Sequence, residues 1–319
     1  MRITFYILLL STISLFGYNE QSYQILSFTQ AEFLSKNTTR IPFKLVDHLI
    51  VIEAELLNKK GNFIIDTGSE TLILNKKHFK GRTANTEMPK QTSGVIDFIE
   101  NPLEKHLREF IIKDLVIQNT FSDVIDLSHI EISKKIHLLG IIGYDILKDY
   151  EIFIDMYLNQ ITLSKVDAKG EKLDHAIYLE KIIDSVNFKL KKHTIVLEAT
   201  VNDEHLKFGL DTAAEYNQLN KKINKKALTQ FFPKRRLQLT GASGKKIEVL
   251  AGKLYRVKLT DSIYFGPMQT ILTNLNQMNN VFGTKLDGIL GYEFFRQQRT
   301  IINYKKEKLY FVKNPLYRQ

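Results

Sequence analysis

Apolar and polar positions along this chain alternate in short runs rather than at the three-to-four spacing of long helices. Ile50-Val51-Ile52-Glu53-Ala54-Glu55-Leu56 and Thr194-Ile195-Val196-Leu197-Glu198-Ala199-Thr200-Val201 are β-branched stretches of strand length, suited to a pleated, half-buried surface. Polar turns are predicted after them, at Asn58-Lys59-Lys60-Gly61 and Asn202-Asp203-Glu204-His205. A second apolar strand then ends on an aspartate in both places, Phe63-Ile64-Ile65-Asp66 and Phe208-Gly209-Leu210-Asp211. Helical periodicity is scarce, with Tyr144–Lys148 and Tyr292–Gln297 the best short candidates. The pattern predicts two mainly β barrels of similar build with short helices.

The paired patterns belong to a long internal repeat. At a shift of 145 residues, Phe43–Lys77 falls on Phe188–Lys222 without a gap and with 16 identities in 35 positions. Further along, Leu138-Leu139-Gly140-Ile141-Ile142-Gly143-Tyr144-Asp145 resembles Leu286-Asp287-Gly288-Ile289-Leu290-Gly291-Tyr292-Glu293. A period of this length implies two copies of a domain, not a solenoid. The polar stretch Ser164–Asp174 is the expected boundary, which places one lobe at 41–165 and the other at 175–315, after an N-terminal extension at 19–40.

Composition narrows the chemistry. The 319 residues suffice for two domains, and 44% hydrophobic with 25% charged residues is ordinary globular usage. The net charge of +10 comes from basic residues spread along the chain, so pieces such as Asn220–Lys226 and Lys234-Arg235-Arg236 read as solvated faces, and no nucleic-acid partner is expected. Cysteine is absent, which excludes disulfides, Cys-zinc sites, iron–sulfur clusters and a thiol nucleophile. Met1-Arg2 followed by the apolar run Ile3 to Phe16 reads as a signal peptide over 1–18, and the mature protein as exported. The region near Gly17-Tyr18-Asn19 lacks an Ala-x-Ala cleavage pattern, so an uncleaved anchor stays open and is the only expected route to a membrane.

Candidate chemistry centres on Asp66-Thr67-Gly68-Ser69. A carboxylate where a buried strand breaks into a turn is held by the scaffold, within reach of neighbouring N–H groups. Gly68 lets the main chain approach closely, and the Ser69 hydroxyl can donate to the carboxylate. The tripeptide alone is a common turn; the preceding apolar strand, the later apolar-apolar-Gly segment and the recurrence at Asp211-Thr212-Ala213-Ala214 give it weight. On these residues the chain after its leader resembles the retropepsin-like aspartic proteases, of the exported tandem single-chain bacterial type. The resemblance implies two retropepsin-like acid-protease barrels in tandem, related by a pseudo-twofold axis, with Asp66 and Asp211 as the catalytic pair. Thr67 and Thr212 would each bond the opposite lobe, and Ile141-Ile142-Gly143 and Ile289-Leu290-Gly291 would pack beneath the aspartate loops. It implies a monomeric endopeptidase acting on peptide or protein substrates without a cofactor.

The second loop departs from the family pattern. Ala213 puts a methyl group where glycine is usual, and Ala214 cannot donate the hydrogen bond that Ser69 offers. Two readings follow: a protease whose shared proton is held to less acidic pH, or a peptide-binding pseudoprotease with a degenerate second lobe. Pairing of two first lobes in a dimer is a third arrangement, which the covalent tandem makes unnecessary. Gly94, Gly241 and Gly244 mark Gly-bearing turns that read either as flaps over a cleft or as plain hairpins. Gly244-Lys245-Lys246 fails as a phosphate loop, because Leu239 stands where a glycine is needed. The eight histidines show no metal-ligand spacing, so no metal is expected, and His48 and His193 read as turn or packing residues. No Gly-x-Ser-x-Gly elbow is present.

Overall fold

The computed structural model describes residues 23–79, 91–93, 98–100, 103–175, 180–240 and 246–315. The leader and Gly94, Gly241 and Gly244 lie outside the described residues. Among those described, no helix is long and apolar enough to cross a membrane. The protein is mainly β, as the alternating pattern predicts.

In the first half the strands Lys44–Val46, Leu49–Leu56, Lys59–Ile65, Leu138–Ile142, Leu72–Asn75, Leu115–Ile125 and Leu103–Ile112 follow one another in hydrogen-bonded order. Pairing of Glu55 with Ile111 closes six of them into a barrel, which removes the sheet edges. In the second half Lys189–Lys191, Thr194–Val201, Glu204–Leu210, Gly288–Leu290, Asn217–Asn220, Met268–Thr273 and Lys246–Leu254 follow in the same order. There Thr194–Val201 instead pairs with the short strand Val257–Lys258. Both halves thread a parallel pair into the centre: Lys59–Ile65 beside Leu138–Ile142 and Glu204–Leu210 beside Gly288–Leu290. Phe63, Ile65, Phe208 and Leu210, on these strands, are buried in one continuous apolar cluster spanning both halves.

The hairpins that lead into the aspartates are tighter than the sequence suggests. Leu57 and Asn58 both have positive φ, as do Asn202 and Asp203. Two such residues make the two-residue turn whose twist matches the flanking strands, so Lys59 and Glu204 already belong to strands. Asn and Asp tolerate that conformation best; Leu57 is carried by the register of its neighbours. Helices form at Tyr144–Leu147 and Tyr292–Phe295, where short helices are predicted, and also at Ser128–Lys134, Lys225–Leu228 and Asn276–Phe282.

A third sheet joins the halves. Its order is Glu32–Ser35, Thr38–Pro42, Gln160–Lys165, Tyr150–Asp155, Arg299–Asn303, Lys308–Val312 and Ile182–Asn187. At its centre Ile152 lies opposite Ile302. The segment 19–40 therefore supplies strand to this sheet, and Thr38 Oγ1 donates to Asp174 at 2.7 Å across the expected boundary. The Arg299 guanidinium, buried over the Phe153 ring, bonds Asp155 at 2.7 Å and Glu180 at 2.8 Å. The shared sheet and the Arg299 ion network thus join the two halves.

Candidate active site

Each aspartate begins where its strand ends. Asp66 N donates to Ile142 O at 3.0 Å and Asp211 N to Leu290 O at 2.9 Å, so both loops are hung from the adjacent parallel strand. Beneath them the chain turns at Gly143 and Gly291. A Cβ on Gly143 would lie 2.3 Å from Thr71 O, and one on Gly291 would lie 2.1 Å from Ala214 O. The missing side chains let Tyr144 N donate to Ser69 O at 2.8 Å and Tyr292 N to Ala214 O at 2.9 Å. These glycines thus support the loops, as expected of the two apolar-apolar-Gly segments.

The loops are locked to each other through their threonines. Thr67 N donates to Thr212 Oγ1 at 3.1 Å, and Thr212 N donates to Thr67 Oγ1 at 3.0 Å. Each hydroxyl passes its own hydrogen on, Thr67 Oγ1 to Leu210 O at 3.3 Å and Thr212 Oγ1 to Ile65 O at 2.8 Å. All four bonds are buried, where an unmade bond costs about 1–3 kcal/mol. The lock fixes the separation of the two carboxyls. Asp66 and Asp211 are 1% and 2% exposed and close enough to share a hydrogen bond. Gly68 presses on the opposite carboxyl: a Cβ there would lie 2.7 Å from Asp211 Cγ.

The two carboxyls have unequal surroundings. Asp66 Oδ1 accepts from Gly68 N at 2.7 Å and Ser69 N at 3.1 Å, while Oδ2 accepts from Ser69 Oγ at 2.6 Å. Asp211 Oδ1 accepts from Ala213 N at 2.8 Å, and its Oδ2 is buried without a hydrogen-bond donor. Burial pushes Asp66 up to about 6 against the pull of its donors. Burial, and then the charge of Asp66, push Asp211 well above the usual carboxylate range. Two such groups titrate as one unit, and burial raises both, Asp211 the further of the two. Nearby, burial keeps the Tyr304 phenol far above its ordinary value, helped by Tyr144 and both aspartates.

The Ala213 methyl leaves the amide contact to its aspartate in place. Its amide reaches Asp211 at 2.8 Å, against 2.7 Å for Gly68 and Asp66. Its methyl is buried in the apolar cluster of the first barrel with Leu49, Ile64, Ile73 and Ile141.

Other residues that brace the loops carry only the weak sequence signal of recurring with the repeat. His48 Nδ1 lies 3.2 Å from Glu215 O, and its ring stacks on Tyr292 at 4.2 Å. The counterpart His193 is buried, with Nδ1 3.6 Å from Glu70 Oε2; burial holds it down to about 4, so it is neutral. Glu215, on the second loop, forms a buried ion pair with Lys134 of the first half at 2.7 Å. Each half therefore reaches into the other's loop, a pairing visible only once the chain is folded. A cleft of about 740 Å³ is lined by Thr71, Asp123, Asp145, Lys148 and Lys165 among others. It meets the loop region through Glu70 and Thr71, and neither Asp66 nor Asp211 lines it.

No known family profile matches the chain, and no curated protein sequence matches it.

Proposed function

We propose that this protein is an aspartic endopeptidase of the retropepsin-like type, with Asp66 and Asp211 supplied by two related lobes across a pseudo-twofold axis. The observation that carries the reading is the reciprocal Thr67–Thr212 lock, which holds two buried carboxyls against each other. Such a pair costs stability, because like charges in a buried site cannot both ionise; its use is to hold one proton between two oxygen acids.

In the proposed mechanism Asp66 is ionised and Asp211 protonated. Asp66 takes a proton from a water molecule whose oxygen adds to the scissile carbonyl carbon. Asp211 donates its hydrogen bond to the carbonyl oxygen as negative charge develops there. Collapse of the tetrahedral adduct sends the proton held by Asp66 to the leaving nitrogen. The substrate is an extended peptide, whose main chain can pair with exposed strand edges. As the resemblance implies, the enzyme acts as an exported monomer.

The test compares full-length wild type, Asp66→Asn and Asp211→Asn on a peptide library over a pH series. Loss of cleavage in both variants, by roughly 10²–10⁴-fold or more, is the expected result. Cleavage that survives Asp211→Asn would shift the reading to a dimer of first lobes. Wild type that binds peptides but leaves them intact would make the chain a binding module.

A further inference from the structure

Apart from the aspartate loops, the first half gathers a second set of reactive side chains. His78 lies in the turn after Leu72–Asn75, Glu131 on the helix Ser128–Lys134, and His137 just before the strand Leu138–Ile142. Their ligand-type atoms all lie within 4.8 Å of one another. His78 Nε2 is 2.7 Å from Glu131 Oε1, and the two imidazole rings are 4.2 Å apart between centroids. Glu131 is fully buried; Lys77 Nζ holds its Oε2 at 2.7 Å, and Leu138 N donates to Oε1 at 3.2 Å.

The second half shows what this corner needs for folding alone. Asn279 occupies the place of Glu131, and its Oδ1 accepts from Leu286 N at 2.8 Å, just as Glu131 accepts from Leu138 N. Ile223 stands in the place of His78, with the same backbone bond back to the preceding asparagine, and Lys285 stands in that of His137. A neutral amide thus suffices to cap the strand. A buried carboxylate is more costly than an amide, and two imidazoles converging on it add nothing to the cap. The pattern of two imidazoles and one carboxylate with an open side matches the ligand preference of zinc-like cations.

We propose that His78, Glu131 and His137 form a binding site for a divalent transition-metal cation of the zinc class. The cation takes the place of the proton between His78 Nε2 and Glu131 Oε1, and that proton moves to Nδ1 of the same ring or to solvent. Tetrahedral ligands around zinc stand about 3.3 Å apart. The exposed His137 and the half-buried His78 close the remaining gap by side-chain rotation, while Leu138 N and Lys77 orient the carboxylate as second partners. Water completes the coordination. The bound ion ties the turn after Leu72–Asn75 to the start of the strand that ends beneath Asp66, so its effect is to stiffen the first barrel.

The experiment titrates the full-length chain, stripped with chelator, with zinc chloride while binding heat and thermal unfolding are followed. One equivalent should bind, with a melting temperature that rises as free zinc passes Kd. His137→Ala, at an exposed position, and Glu131→Gln, which keeps an acceptor for Leu138 N as Asn279 does, should each weaken Kd at least tenfold and flatten the rise. Cobalt(II) should give visible absorption of a four-coordinate site in wild type and not in His137→Ala. No zinc-dependent shift in wild type, or an equal shift in both variants, would overturn the proposal.

Discussion

The two aspartate loops, Asp66-Thr67-Gly68-Ser69 and Asp211-Thr212-Ala213-Ala214, share a backbone path and differ at two side chains. Both hang from a parallel strand, both are supported by a glycine turn, and their threonines trade equivalent bonds. Yet Asp66 accepts a hydroxyl that Asp211 lacks, and Gly68 touches the opposite carboxyl while Ala213 packs its methyl into apolar side chains. Main-chain hydrogen bonds place the pair, whereas the side chain at the fourth loop position gives Asp66 a hydroxyl donor that Asp211 lacks. A symmetric scaffold thus carries an asymmetric charge distribution.

The sharpest way to break this contrast is Gly68→Ala. The added methyl would sit 2.7 Å from Asp211 Cγ, well inside contact distance, and neither loop can retreat without giving up the threonine lock. Displacement of a carboxyl by an ångström costs on the order of a hundredfold in rate. Peptide cleavage should therefore fall by about that factor or more, with the β-sheet circular dichroism retained. Activity within a few-fold of wild type would show that the close approach of Gly68 is dispensable.

Exchanging the fourth-position side chains sharpens the comparison on the pH axis. In the proposed mechanism the singly protonated pair does the work, with the ionised carboxyl on Asp66, which burial raises to about 6. The acid limb thus reports protonation of that carboxyl, and the alkaline limb reports loss of the proton assigned to Asp211. Ser69→Ala removes a donor to the ionised form of Asp66; its apparent pKa rises and the acid limb moves to higher pH. Ala214→Ser adds a donor to the ionised form of Asp211; its apparent pKa falls and the alkaline limb moves to lower pH. A hydrogen bond to a charged group contributes about 1.5–3 kcal/mol, so each limb should move by roughly one to two pH units. The pH dependence of kcat/KM measures both. Limbs that stay in place, or move the other way, would mean that the hydroxyl does not set where the proton sits.

What could be read from the sequence follows the same divide between local and distant effects. The strands ending on Asp66 and Asp211 and the glycines at 143 and 291 are legible because each depends on neighbours in sequence, and the repeat doubles every signal. The lack of a hydroxyl donor to Asp211 is likewise foreshadowed by Ala214. Contacts made across folded elements leave no spacing to read. His48 against Glu215, Lys134 against Glu215, and His78 with Glu131 and His137 each join residues that only the barrels bring together. The joining sheet is hidden for the same reason: Thr38–Pro42 straddles the expected end of the N-terminal extension, and its strand role shows only when Gln160–Lys165 pairs with it.

Ala213 gives the smallest effect and separates position from identity. Read from the family pattern, alanine here is a defect, and Ala213→Gly should restore rate. The structure gives the opposite weighting, since the Ala213 amide already bonds Asp211 at 2.8 Å and the methyl fills an apolar cluster. Removing the methyl loses about 0.8 kcal/mol of burial, and glycine adds about 0.5–1 kcal/mol of backbone entropy on unfolding. Ala213→Gly should therefore leave kcat/KM within about threefold and lower the melting temperature by a few degrees, as expected for a loss of roughly 1–2 kcal/mol in a protein of this size. A large gain in kcat/KM would instead show that the methyl holds Asp211 away from its working position, and would make the second loop a damaged copy of the first.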